Sequence, residues 1–260
     1  MGSEPEVHPT STPAPRRRAS VVGVLGELLI TCGVVALLFV AWQVWIGDAI
    51  ASAQEHSAAE ELAQSWAEPS APPDDGTGPA DGPEPTPVAP GDIPVLGAVS
   101  HGDQFGVMYV PRFGEQWKFR VASGITRKDI LDQGFIGHYD DTPLPGAVGN
   151  TAYAAHRWTS GAPFDPIDRL VIGDAIVIET KEGWYTYRFR DFEYVQDTQI
   201  EVLLPVPQRP DVMSEGRYLT LTSCAPKFNM MERIIAYALF DEFTPRADGA
   251  PAALTEGVPT

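Results

Sequence analysis

Tyr218-Leu219-Thr220-Leu221-Thr222-Ser223-Cys224 alternates large and hydroxyl-bearing side chains and stops at Ala225-Pro226. That two-residue period is the mark of a strand with unlike faces. The run also ends on the most informative residue of the chain. Only two cysteines are present, and the other, Cys32, lies in an apolar N-terminal stretch, so Cys224 has no disulfide partner within the chain. An unpaired thiol exposed to an oxidising exterior is either buried or put to use. Free cysteine is also among the most often buried side chains, so both readings stand until its neighbours decide.

Strand-like runs recur on either side. Gly106 to Val110, Trp117 to Val121, Thr151 to Ala155, Ala175 to Thr180, Gly183 to Val195 and Arg233 to Phe240 are short apolar or alternating segments bounded by Gly, Pro, Asp and Asn. Such spacing predicts a mainly β domain, either barrel or sandwich. One short helix is expected at Thr126 to Gln133, with Thr126 as its cap and Asp129 as an early acidic residue.

Val21 to Ile46 is apolar except for Glu27, Thr31 and Gln43. It exceeds the ~20 residues that cross a bilayer. It is also longer than the apolar region of a cleaved signal, and it ends in Trp42 and Trp45, residues suited to the membrane interface. Arg16, Arg17 and Arg18 precede it, which places the N-terminus in the cytoplasm and the rest of the chain outside. The resulting organisation is a cytoplasmic tail (1–18), a transmembrane anchor (19–47), a juxtamembrane helix and Pro-rich stalk (48–90), a folded domain (91–244) and a disordered tail (245–260). A Pro-rich spacer of that length extends to about 70 Å. The formal net charge of −17, with no clustered Lys/Arg in the domain, argues against nucleic acid as a partner.

A cysteine nucleophile needs a group that supplies or stabilises its thiolate, and histidine is the usual one. His101 and His138 fall in loop or turn sequence. His156 ends a small-residue strand and opens a turn-rich segment, Thr159-Ser160-Gly161-Ala162-Pro163, a position from which a rigid scaffold presents a side chain. Arg233 begins the last strand, where a guanidinium is suited to a developing oxyanion and equally suited to an ion pair with Glu232 or another surface carboxylate. Leu203-Leu204-Pro205-Val206-Pro207 reads either as a groove for a leucine side chain or as ordinary core. Asp140, Asp141, Asp165 and Asp168 read as solvated turn carboxylates without a metal-ligand spacing.

Thr220-Leu221-Thr222-Ser223-Cys224 resembles the sortase signature Thr-Leu-x-Thr-Cys, with Ser223 where the pattern has threonine. Cys224-Ala225-Pro226-Lys227-Phe228, followed by Arg233, resembles class E. Pro145-Gly146 through Ala155-His156-Arg157 and Gly161-Ala162-Pro163-Phe164-Asp165-Pro166 are similar to the family's other blocks. The resemblance spans about Ile93 to Phe243. It implies an eight-stranded β-barrel with short helices, in which Cys224 is the nucleophile, His156 the acid/base and Arg233 the group that steadies the oxyanion. No cofactor and no metal are expected, since the acidic residues lack a ligand spacing. The partners implied by the resemblance are exported proteins bearing a sorting signal, expected as Leu-Ala-x-Thr-Gly, and an amine acceptor on a peptidoglycan precursor or a pilin. Two other readings remain at this point: an L,D-transpeptidase, although its Ser-His-Gly-Cys block is missing, and a stalked binding module with Cys224 in its core.

Overall fold

The computed structural model describes residues 20–42, 47–67, 93–228 and 230–258. The chain divides into two compact units, Met1–Val44 and Trp45–Thr260. The first contains helix α1 (Val21–Ala41), none of whose residues is buried. By length and composition α1 is apolar enough to cross a membrane. Thr31 donates to the Glu27 carbonyl within it at 2.8 Å. The expected cytoplasmic tail and Pro-rich stalk lie outside the described residues.

The second unit is a closed barrel. Its strands are β1 (Gln104–Tyr109), β2 (Lys118–Ser123), β3 (Ile136–His138), β4 (Gly149–Ala154), β5 (Ala175–Glu179), β6 (Gly183–Gln196), β7 (Arg217–Ala225) and β8 (Glu232–Pro245). They close in the order β1-β2-β3-β4-β7-β8-β6-β5. The β2–β3 and β4–β7 pairs are parallel and the others antiparallel. Most sequence-predicted strands are found within a few residues of their expected limits. Strand β3 is an addition, and the helix expected at Thr126 to Gln133 is instead a series of turns ending in a 3-10 turn at Leu131–Gln133.

The alternation of β7 explains its place. Leu219 and Leu221 are fully buried in the main core with Tyr153, Phe164, Ile178 and Tyr187. On the opposite face Thr220 donates to Asn150 Oδ1 at 2.8 Å and Asn150 Nδ2 donates to the Val202 carbonyl at 3.0 Å. The turn Ile200–Leu203 thus covers the outer face at that level. Leu203 packs on Val195, Val202 and Ile235, so the core alternative for the Leu203 to Pro207 segment is the one its leucine follows. Two residues beyond Thr222 the period puts Cys224 on the same outer face as the threonines.

Helix α2 (Gly47–Ala67) is part of the barrel unit. Arg120 on β2 makes two hydrogen bonds to Glu55, Nε to Oε2 at 3.0 Å and Nη2 to Oε1 at 2.7 Å. His56 Nδ1 donates to the Lys118 carbonyl at 2.7 Å, and Lys118 pairs with Glu60. The juxtamembrane helix of the expected stalk is therefore docked on the domain. Removing one partner of a covered ion pair leaves the other charge poorly compensated. Glu55→Ala is expected to lower stability by about 1–3 kcal/mol, read as a shifted urea midpoint at unchanged slope.

The tail beyond Pro245 also differs from the expected disorder. Arg246 contacts Glu179 at 3.0 Å and lies 4.7 Å over the Trp184 ring, while Ala253 is buried beside Ala175, Val177 and Trp184. Composition pointed to disorder because large apolar residues are scarce there. The segment is held instead by Arg246, by Ala253 and Leu254 against Trp184, and by Glu256, which accepts from Arg188.

Candidate active site

Cys224, His156 and Arg233 line one cavity of about 420 Å³, together with Tyr139, Trp158 and Leu131. The barrel brings them there by pairing. Strand β4 runs parallel to β7 with Ala154 opposite Thr222, which places His156 just past the end of β4 and Cys224 at the end of β7 on neighbouring strands. Strand β8 runs antiparallel to β7 with Arg233 directly opposite Cys224. Nine residues of sequence separation thus become a cross-strand pair. Cys224 is only partly buried, so the inert-core alternative does not describe it.

Ser223 shows why a hydroxyl belongs before the cysteine. Its Oγ donates to the Ala155 carbonyl at 2.8 Å. The bond ties the cysteine strand to the residue that precedes His156. Thr222 adds a second tie, donating to the Tyr153 carbonyl at 3.2 Å. The loss of a β-branch at position 223 leaves this bond intact.

Arg233 Nη1 donates to the Met230 carbonyl at 2.9 Å and the Glu232 carbonyl at 3.0 Å, and Nη2 is 3.8 Å from Asp197 Oδ2. Of the carboxylates expected near it, Glu232 or another at the surface, the one it reaches is Asp197. At 3.8 Å that contact is loose, and it leaves the guanidinium at the cavity wall.

Three groups that sequence reasoning passed over belong to this neighbourhood. Asp132 Oδ1 is 2.7 Å from His156 Nε2. Tyr139 shares a hydrogen bond of 3.0 Å with the Thr222 hydroxyl. Burial pushes the phenol of Tyr139 up from its ordinary range, and the Thr222 bond and the Arg233 charge oppose that shift, so it remains a neutral hydroxyl. Arg157 Nη1 donates to the Cys224 carbonyl at 3.4 Å and Nη2 to Asp168 Oδ2 at 2.6 Å. Nothing in the spacing of these residues pointed to Cys224. Tyr139 directly follows His138, which had been considered only as a turn residue.

The other candidates lie elsewhere. His138 is buried in the barrel wall between Phe105 and Tyr153, and burial holds its pKa below the ordinary value. His101 is 3.6 Å from Asp140 at the surface. Asp140 accepts from Ser123, Asp165 pairs with Lys227, and Asp168 pairs with Arg157.

Similarity to known proteins extends over most of the barrel. A model of the Sortase domain family matches residues 108–240. The chain is 34% identical over 236 residues to Sortase SrtE1 of Streptomyces coelicolor, covering 88% of this chain and 60% of that protein. It therefore spans less than two thirds of that relative. It is 33% identical over 228 residues to Sortase SrtE2 of the same organism, covering 85% of this chain and 83% of that protein. The solved structure of Sortase E1 from Streptomyces coelicolor, which holds a tripeptide in its active site, superposes with a TM-score of 0.55 at 34% identity, covering 60% of this chain and 99% of that one. With a closed eight-stranded barrel, one family match across most of it and two relatives of this similarity, the chain belongs to the sortase family and within it is most like class E.

Proposed function

We propose that this chain is a membrane-anchored cysteine transpeptidase that cleaves a C-terminal sorting motif between Thr and Gly and transfers the acyl group to an amine. The observation that carries the reading is the convergence of Cys224, His156 and Arg233 on one open cavity. The Cys224 thiolate attacks the Thr carbonyl carbon while His156 holds the thiol's proton. Negative charge then develops on the carbonyl oxygen, and the Arg233 guanidinium is placed to donate to it. His156 passes its proton to the departing Gly nitrogen, the C–N bond breaks, and a Cys224 thioester remains. An incoming amine loses a proton to His156 and attacks the thioester, which restores the thiol and forms the new amide.

The expected motif is Leu-Ala-x-Thr-Gly, and the acceptor amine belongs to a peptidoglycan precursor or a pilin. Helix α1 fits an anchor with the N-terminus in the cytoplasm and the barrel outside. The test is incubation of the full chain, in detergent, with Leu-Ala-x-Thr-Gly and Leu-Pro-x-Thr-Gly peptides, followed by mass spectrometry. The expected result is a thioester on Cys224 and faster release from the alanine peptide. Faster turnover of the proline peptide would remove the class E specificity. Absence of any adduct from either peptide would count against the transpeptidase itself.

A further inference from the structure

An imidazole has two nitrogens, and in His156 one of them is already engaged. Nε2 lies 2.7 Å from Asp132 Oδ1, with the histidine side chain 14% exposed and the aspartate 44%. Asp132 sits on the turn Leu131–Gln133, which is fastened at both ends. The Asp132 amide donates to the Arg127 carbonyl at 2.6 Å, Gln133 N donates to the Ile130 carbonyl at 3.2 Å, and Ile130 itself is buried. The turn is closed by Gly134 at φ +91°, where a Cβ would stand 3.1 Å from both Glu55 Cγ of α2 and the Ser160 carbonyl. The turn, the loop after His156 and α2 therefore meet at one point. The same helix touches that loop again at Gly161, whose Cβ position is 3.3 Å from Ser52 N.

We propose that Asp132 is a positioning residue for His156. Its carboxylate accepts the Nε2 hydrogen, so that Nδ1 is left as the nitrogen that exchanges protons with Cys224 and with the leaving and entering amines. Holding one nitrogen in this way also fixes the tautomer and plane of the ring. The other charges about the ring come from several elements. Asp48 of α2 acts on His156 electrostatically and is itself close to Asp165 and Lys227. Arg127 Nε is 3.9 Å from Asp132 Oδ1. Cys224 and Arg233 face the same cavity. Asp132 is the one of these whose oxygen is within hydrogen-bonding distance of the ring.

The kinetic consequence rests on the transpeptidase reading above, whereas the effect on the thiol does not. Both are therefore measured, with the full chain in detergent. Asp132→Asn keeps an acceptor and removes the charge. It is expected to lower kcat about tenfold with KM nearly unchanged, since an amide can turn its NH2 to the ring and no longer fixes which nitrogen carries the hydrogen. Asp132→Ala, which also frees the ring, is expected to lose about 30–100-fold, and Asp132→Glu to recover part of it. Iodoacetamide labelling of Cys224, which needs no peptide, is expected to slow at neutral pH in Asp132→Asn. A wild-type kcat and labelling rate in Asp132→Asn would overturn the proposal, as would a loss of kcat that tracks a lowered Tm and is not partly recovered in Asp132→Glu. If the wild-type chain turns over no peptide yet labelling slows in Asp132→Asn, the positioning stands and the transpeptidase reading falls.

Discussion

Cys224→Ala is expected to leave a folded chain that forms no thioester and turns over sorting peptides at least about 10⁴-fold more slowly than the wild type. The size follows from the chemistry. No other thiol is available among the cavity-lining side chains, and the hydroxyl beside it, Ser223, points the other way and is bound to the Ala155 carbonyl. Stability should change by no more than about 1 kcal/mol, because Cys224 is partly exposed on the outer face and the core below it is made by Leu219, Leu221 and Ala225. His156→Ala is expected to be nearly as damaging. The double variant should be no worse than either single one, because nucleophile and base act as a unit. The measurement is single-turnover release from a fluorogenic sorting peptide, with circular dichroism and a urea titration as the check on folding. Appreciable turnover by a folded Cys224→Ala chain would remove the thioester route.

The parts of the site that were legible in the sequence were those encoded by local period. Alternation in β7 put Cys224 at a strand end, and the small-residue run Ala152 to Ala155 put His156 at another. Pairing was not encoded locally, and it is what sets Arg233 opposite Cys224. Strand β3 was missed because Ile136–His138 is too short for an alternation to show. It exists by virtue of the neighbours it pairs with, β2 and β4. Asp132 was missed for a related reason. Its turn looked like the end of a helix, and its partner lies 24 residues away. Helix α2 was recognised as a helix from its Ala, Glu and Gln content. Its docking was hidden because the contacts are polar, Glu55 to Arg120 and Glu60 to Lys118, and a charged helix face reads as solvated until its counter-charges are placed in space.

Arg233→Ala is expected to lower kcat by about 10²–10³-fold with a much smaller change in KM. The reasoning starts from what holds the side chain now. Nη1 is occupied by the Met230 and Glu232 carbonyls, while among the described residues Nη2 reaches a distant Asp197 oxygen at 3.8 Å. One edge of the guanidinium is thus anchored, and the rest remains for a charge that appears at the Cys224 end of the cavity. Such a donor is strongest when the carbonyl oxygen becomes an anion, so its loss weighs on the chemical step more than on binding. Arg233→Lys keeps a cation but not the planar fork that lets one edge be held while the other donates. It should fall between the two, about tenfold below wild type. Iodoacetamide labelling of Cys224 separates this role from another. An oxyanion donor leaves the thiol's own reactivity within about threefold of wild type, whereas a cation that mainly stabilises the thiolate slows labelling as much as turnover. Parallel losses in labelling and in peptide release would therefore reassign Arg233 from the carbonyl oxygen to the sulfur.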